Sequence, residues 1–434
     1  MQRFKVGNFL FFIIILNTWI MLFRINLRYL EDSFGNEISY FIFIVVFATL
    51  SFTFFQKKYD YFILTWLSFY FAAPIIKVPF SEIGSLGILN GIFIPLMIFK
   101  FYNLNNRYFL TILSLIIISF FHLSEVSLRL IFSRIFLFIA PFIFYYFVIN
   151  KCWNPMTIIY GAITIAVINM PLAIYQLIYQ PAWGVAYDWR GIRIFGNLFW
   201  HNSYAMYLMP LILFVYGFLK FKFKASYLII FILLLMMDVL TISRGSLASI
   251  VIGFIIIELL YINKNTSIFL KAVLYAMLLA AIIVLYLNYY NDFDPHLRPS
   301  AINERTEIWK TVTPFMTNNL LFGNGIGSYE IYRSRVLHSL STHNYYLSVI
   351  FELGVIGLII IFVFIFYIFK DLINIPKTEL NTKTIGIAML IVILIDAITG
   401  NSPFAQSVSL NSWILLGACI IYSKNCRNSI VVDK

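Results

Sequence analysis

The sequence predicts an all-α polytopic membrane protein. It has about fourteen transmembrane helices (twelve to fourteen), and a long outward-facing loop with short helices precedes the third-last one. Three observations carry this. The chain is 61% hydrophobic and 12% charged, with a mean hydropathy of +0.88, whereas a soluble domain is about one quarter charged. Apolar runs near the ~20 residues needed to cross a bilayer recur along the whole length. Those runs lack the alternating polarity of a membrane barrel strand, so the spans are helices.

Taken in order, the apolar segments centre near residues 15, 46, 69, 92, 115, 140, 167, 211, 234, 254, 277, 358, 391 and 413. The first follows Arg3 and Lys5 in the manner of a secretory signal, but "NTWIMLFRIN" offers no small-x-small cleavage site. It reads as a membrane helix. One set of connections is short and basic: Arg3 and Lys5, Lys57 and Lys58, Lys100 with Arg107, Lys151, "KFKFK" at 220–224, Lys264, Lys370 to Lys383, and Lys424 with Arg427. The positive-inside rule puts these in the cytoplasm. Both termini are then cytoplasmic, which requires an even number of spans. Net charge +12 spread over such loops marks topology, not a nucleic-acid surface.

The alternate connections face outward, and two are too large to be simple links: Gln180–Asn202 and Asn288–Tyr345. They divide the chain into N-terminal membrane helices (1–180), core membrane helices with an outer arginine loop (181–287), a large outer loop (288–345) and C-terminal membrane helices (346–434). Within the large loop, "NERTEIWKTVTPFM" opens on an Asn cap and sets Trp309, Val312 and Met316 at helical spacing. "FGNGIGSY" is a glycine turn. Short helices on the outer face are expected.

Ionisable residues at the rim of membrane helices are where chemistry is sought. Arg244, in "TISRGSLAS", is either an interfacial arginine or an anion ligand with Ser243, Ser246 and the following helix start as further donors. Arg190 and Arg193 share a loop with Trp183, Trp189 and Trp200. This suits an interfacial anchor, and equally the stacking of sugar rings and the holding of phosphate. Arg305 is flanked by Glu304 and Glu307, so an ion-pair role and a site role stand side by side. Arg333 and Arg335 form a second outer basic cluster. His343, in "STHNYYLSVIFELGVIGL", can take a proton near neutral pH at the outer mouth of a helix while Asn344 caps that helix. His338 is a weaker candidate, and His201 reads as a surface residue. Glu352 reads as structural, and Gly354 and Gly357 as points of close helix contact. "DFD" at 292–294 is too short to establish a metal site. The three cysteines, Cys152, Cys419 and Cys426, fit no metal or disulfide pattern, and no Gly-rich phosphate loop occurs.

Four stretches in order, "RIFGNLFWHNSYA", "SRGSLAS", "ERTEIWKTVTPFMTNNLLFGNGIGSY" and "THNYYLSVIFELGVIGL", resemble the O-antigen polymerase and ligase superfamily over roughly residues 190–365. The resemblance implies a metal-independent, inverting glycosyltransferase of the bacterial inner membrane, with no cofactor and a periplasmic site. Its donor would be a glycan on undecaprenyl pyrophosphate. By position, Arg193 and Arg244 match arginines that hold the pyrophosphate, with Arg190 beside them. Arg305 matches a loop arginine, and His343 matches the histidine that activates the acceptor hydroxyl. A separate chain-length regulator commonly accompanies such enzymes. The two arginine-bearing outer loops favour a polymerase over a ligase. Against this, positions 201 and 204 are His and Tyr, so neither Arg190 nor Arg193 is followed by the polymerase glycine eleven residues on. A lipid-linked glycan flippase is the reading from a different class.

Overall fold

The structure, a computed structural model, describes residues 34–72, 84–120, 128–152, 154–179, 185–188, 191–194, 201–221, 223–260, 301–317, 319–329, 332, 344–376, 380–399 and 409–432. The segments centred near 15 and 277 lie outside the described residues. Each of the other predicted segments coincides with a helix. These are α1 (Phe34–Phe55), α2 (Tyr59–Ala72), α3 (Gly84–Phe101), α4 (Arg107–Ile118), α5 (Leu128–Lys151), α6 (Pro155–Ile168) continued by α7 (Met170–Tyr179), α8 (His201–Phe221), α9 (Ala225–Leu240), α10 (Arg244–Leu260), α12 (Tyr345–Ile373), α13 (Leu380–Thr399) and α14 (Ser409–Val432). The outer loop contributes α11 (Ala301–Thr317). A two-stranded hairpin, β1 (Val185–Asp188) and β2 (Gly191–Ile194), stands in the outer arginine loop, where the sequence suggested no strand.

Among the described residues, four helical stretches are long and apolar enough to cross a membrane: Pro155–Tyr179, Asn202–Lys220, Tyr345–Ile373 and Asn381–Ile398. Seven shorter apolar helices accompany them. This is a multi-pass membrane protein. Helix α14 sits centrally and packs against α5, α6, α8 and α13. To one side, α1, α2, α3 and α5 meet through aromatic rings. Phe54 lies 5.3 Å from Phe62 and 6.0 Å from Phe93, and Trp66 lies 4.9 Å from Phe144. With no hydrophobic drive between helices in lipid, such ring packing is a main source of association. To the other side, α8, α9, α10 and α13 enclose a polar interior.

Charged groups gather at helix ends. Arg107 pairs with Asp371, which also accepts from the Tyr108 hydroxyl at 2.5 Å. Lys220 pairs with Glu258 at 2.5 Å. Lys100 lies 4.6 Å over the Phe54 ring and Lys151 4.7 Å over Phe101. Local capping fixes where helices begin. Asn106 accepts from the Tyr108 amide and Asn154 from that of Thr157, with Pro155 at the first helical position.

Candidate functional site

The candidate site is built around a break in α12. Gly354 has φ 67° and ψ −173°, so the helix stops and restarts there. In an unbroken helix the Val355 and Ile356 amides would donate to the Phe351 and Glu352 carbonyls. The break orphans all four groups inside an apolar span, where an unsatisfied backbone group costs several kcal/mol. The turn after α11 satisfies all four. The Asn324 and Gly325 amides donate to the Phe351 and Glu352 carbonyls at 2.8 and 2.9 Å. The Val355 and Ile356 amides donate to the Leu320 and Leu321 carbonyls at 2.9 and 3.2 Å. The turn is thus spliced into the helix.

Glycine is required at this splice. A Cβ on Gly354 would lie 2.2 Å from the Leu321 carbonyl oxygen, and one on Gly323 would lie 2.5 Å from that of Glu352. Both glycines also have positive φ. Gly354 therefore admits a loop, not a second helix, and a Cβ on Gly357 would meet Leu353 of its own helix. Asn324 tightens the splice. Its side-chain amide donates to the Phe351 carbonyl at 3.2 Å and to that of Phe315 at 3.3 Å, and it accepts from Asn319 at 3.2 Å.

The N-terminal part of α12, the turn and α11 share a small core of their own. Ile308, Val312, Met316, Tyr329 and Phe351 are buried together, with Trp309, Tyr332, Leu347 and Ile350 packed around them. The Tyr329 and Phe351 rings are 5.5 Å apart, and burial pushes the Tyr332 phenol up from its ordinary value. The expected spacing of Val312 and Met316 thus marks the buried face of α11. That helix begins at Ala301, so Asn303 lies inside it and is not its cap.

The predicted site residues fall as follows. Arg305 lies on α11, in the turn before Ile308; its side chain lies outside the described residues. His343 and Arg190 also lie outside them. Asn344, the residue after His343, is the N-cap of α12 and accepts from the Leu347 amide at 3.1 Å. Arg193 is on β2 opposite Ala186, in a hairpin held down by the fully buried Ile194 and packed on α7. Arg244 is the first residue of α10. The backbones of Arg193 and Arg244 are described and their side chains are not. Helix α8 starts at His201, so Asn202 and Ser203 sit in its first turn and not at its cap. Trp183, Trp189, Trp200, Arg333, Arg335, His338 and "DFD" lie outside the described residues. The packing joins α11 to α12, so the Arg305 helix and the capped start of α12 share one unit, while α10 packs on α8 and α13.

The turn that presents Arg244 is built from below. Asp238, on α9, is fully buried and accepts from the Ser246 hydroxyl of α10 at 2.9 Å, which ties the two helices across the turn. The Thr241 hydroxyl donates to the Asp238 carbonyl at 2.6 Å and accepts from the Ser243 amide at 3.2 Å. Ile242 takes φ 52°, a strained conformation for a β-branched residue. Asp396, on α13, lies within electrostatic range of Asp238, as does Tyr204. Asn411 on α14 donates to the Tyr207 carbonyl at 3.0 Å. Sequence reasoning passed over Asp238 and Asp396. Each is a lone carboxylate inside an apolar run, and that is the signal that would have found them. Among the described residues there is no group of three or more His, Cys, Asp or Glu placed to hold a metal ion.

A search of the curated proteins finds no match. A family model does match, and its range runs from α9 through the Arg244 turn, α11 and the splice into α12. Residues 228–362 match the model described as O-Antigen ligase (Wzy_C), and this part of the chain is a domain of the O-antigen ligase and polymerase family.

Proposed function

We propose that the protein is a membrane-embedded, inverting glycosyltransferase that polymerises O-antigen repeat units from undecaprenyl-pyrophosphate-linked donors on the periplasmic face. The observation that carries this reading is the union of α11 with the start of α12 inside the family-matched stretch. That union supports Arg305 and His343 acting at one site, and in this reading Arg244, Arg193 and Arg190 join them to hold the pyrophosphate. The basic ends at Lys57, Lys100, Lys151 and Lys370 support cytoplasmic termini and an inner-membrane location.

The reaction is a single displacement. The acceptor hydroxyl oxygen bonds to the anomeric carbon of the donor glycan as the bond from that carbon to the pyrophosphate oxygen breaks. The hydroxyl proton passes to His343, and the bond electrons leave with the pyrophosphate, whose growing charge the arginines meet. Fixed cations aimed at developing charge give electrostatic stabilisation, and a positioned base contributes about 10²–10⁴-fold. One displacement inverts the anomeric centre. The reading needs no cofactor. Its partners are the lipid-linked oligosaccharide, the bilayer and a chain-length regulator, and no nucleic acid.

The description of the matched family as a ligase favours a second reading, transfer of the finished glycan to lipid A-core. Deletion of the gene separates the two. Lipopolysaccharide from cells without a polymerase carries a single repeat unit on lipid A-core, whereas cells without a ligase carry none. A flippase, from a third class, would retain transfer when His343→Ala is introduced. The polymerase reading expects His343→Ala protein, made at normal level, to leave the single-unit band. A normal ladder would overturn it.

A further inference from the structure

We infer that the turn spliced into α12 is re-entrant: its tip, Leu320 and Leu321, sits below the membrane surface and faces the acyl chains of the outer leaflet. This goes beyond glycan transfer and rests on the chain crossing a bilayer with the Lys370 end of α12 on the inner side.

The first argument is depth. The inner boundary of the span is marked on α12 by Lys370 and by Asp371, which is paired with Arg107. Val355 precedes Lys370 by fifteen residues, about 22 Å of helix at ~1.5 Å per residue. The hydrocarbon layer is about 30 Å thick. The Val355 and Ile356 amides that bind the Leu320 and Leu321 carbonyls therefore lie about 8 Å short of the far boundary. Tilt of the helix places them deeper.

The second argument is chemistry. Residues at that depth on a water-facing loop would be polar. Leu320 is instead 47% exposed and Leu321 60%, with Phe315 at 43% beside them. The third argument is continuity. The outward face of α12 shows Ile359, Val363 and Phe366 at helical spacing, all exposed and all apolar. Ile356, one turn above Ile359, is the residue bonded to Leu321, so the tip extends the same lipid-facing stripe outward. Finally, non-helical backbone is tolerated at membrane depth only when its polar groups are satisfied within the protein. The four splice bonds meet this condition for the Leu320 and Leu321 carbonyls and for the Asn324 and Gly325 amides. Seated in this way, the tip fixes the height of the unit that carries Arg305 above the bilayer.

The test is collision accessibility of nitroxide labels on the full chain in proteoliposomes. Cys152, Cys419 and Cys426 are first replaced, and single cysteines are then introduced as Leu321→Cys, Ile359→Cys and Thr313→Cys. Ile359 is the lipid control on α12, and Thr313, exposed on α11, is the water control. The expected ratio of oxygen to nickel-chelate collisions at position 321 is below that at the deeper position 359 and exceeds that at 313 severalfold. A ratio like that at 313 would overturn the inference, as would low access to both reagents, which would mean a protein partner or a second copy covers the tip. Leu320→Cys repeats the measurement if the first variant does not fold.

Discussion

Asp238 illustrates how one buried side chain can hold the turn between two helices. Its bond from Ser246 closes the turn between α9 and α10, and that turn sets where Arg244 starts its helix. Asp238→Ala removes the acceptor and leaves the buried Ser246 hydroxyl without it. A buried hydrogen bond lost in this way costs about 1–3 kcal/mol. Asp238→Asn keeps an acceptor in place and should cost clearly less. Thermal unfolding of the two variants in detergent checks the order, and equal losses would mean that the Ser246 bond does not hold the turn. The sequence offered Arg244 because it breaks an apolar run visibly. Asp238 and Asp396 were legible by the same logic, and their roles were not. Nothing in the residue order shows that they come within range of each other across α9 and α13.

Among the elements, α12 is the one whose sequence misleads. "YYLSVIFELGVIGLIIIF" reads as one continuous apolar helix, and its cap at Asn344 was legible from residue type alone. The break at Gly354 was not legible, because a glycine within a membrane helix ordinarily marks close helix packing. Only the partner turn, some thirty residues earlier in the chain, reveals that the four freed backbone groups have new bonds. "FGNGIG" was legible as a turn but not as a splice. Gly354→Ala should therefore be severe. It places a side chain in a backbone region open essentially to glycine alone, at a cost of about 1–3 kcal/mol, and drives Cβ against the Leu321 carbonyl. We expect a loss of at least about 2 kcal/mol in thermal unfolding, together with loss of transfer. Gly91→Ala is the control, since its Cβ would meet only Phe136, at 4.0 Å. Tolerance of Gly354→Ala equal to that of Gly91→Ala would mean the splice is dispensable.

For the molecule as a whole, hydropathy alone placed the apolar segments that coincide with described helices, four stretches of which are long enough to cross a membrane, because lipid demands long apolar runs whatever their neighbours. Which helices pack together was not legible. The aromatic cluster around Phe54 and the polar interior around Asp238 are built from residues far apart in the chain. The division of labour follows from this packing. The α1–α3 and α5 side supplies an apolar base packed through aromatic rings, and the family-matched stretch supplies the turn at Arg244 and the unit of α11 and α12. The proposed chemistry then lies where a lipid-linked pyrophosphate presents itself, at the outer edge of the bilayer. Purified protein in proteoliposomes, supplied only with undecaprenyl-pyrophosphate-linked repeat units, tests this most directly through the lengths of the lipid-linked products. The account predicts a ladder of lengthening glycans without added lipid A-core, abolished by His343→Ala in protein that unfolds at the normal temperature. Products that stay one unit long with the wild-type chain, or a ladder that survives His343→Ala, would contradict it.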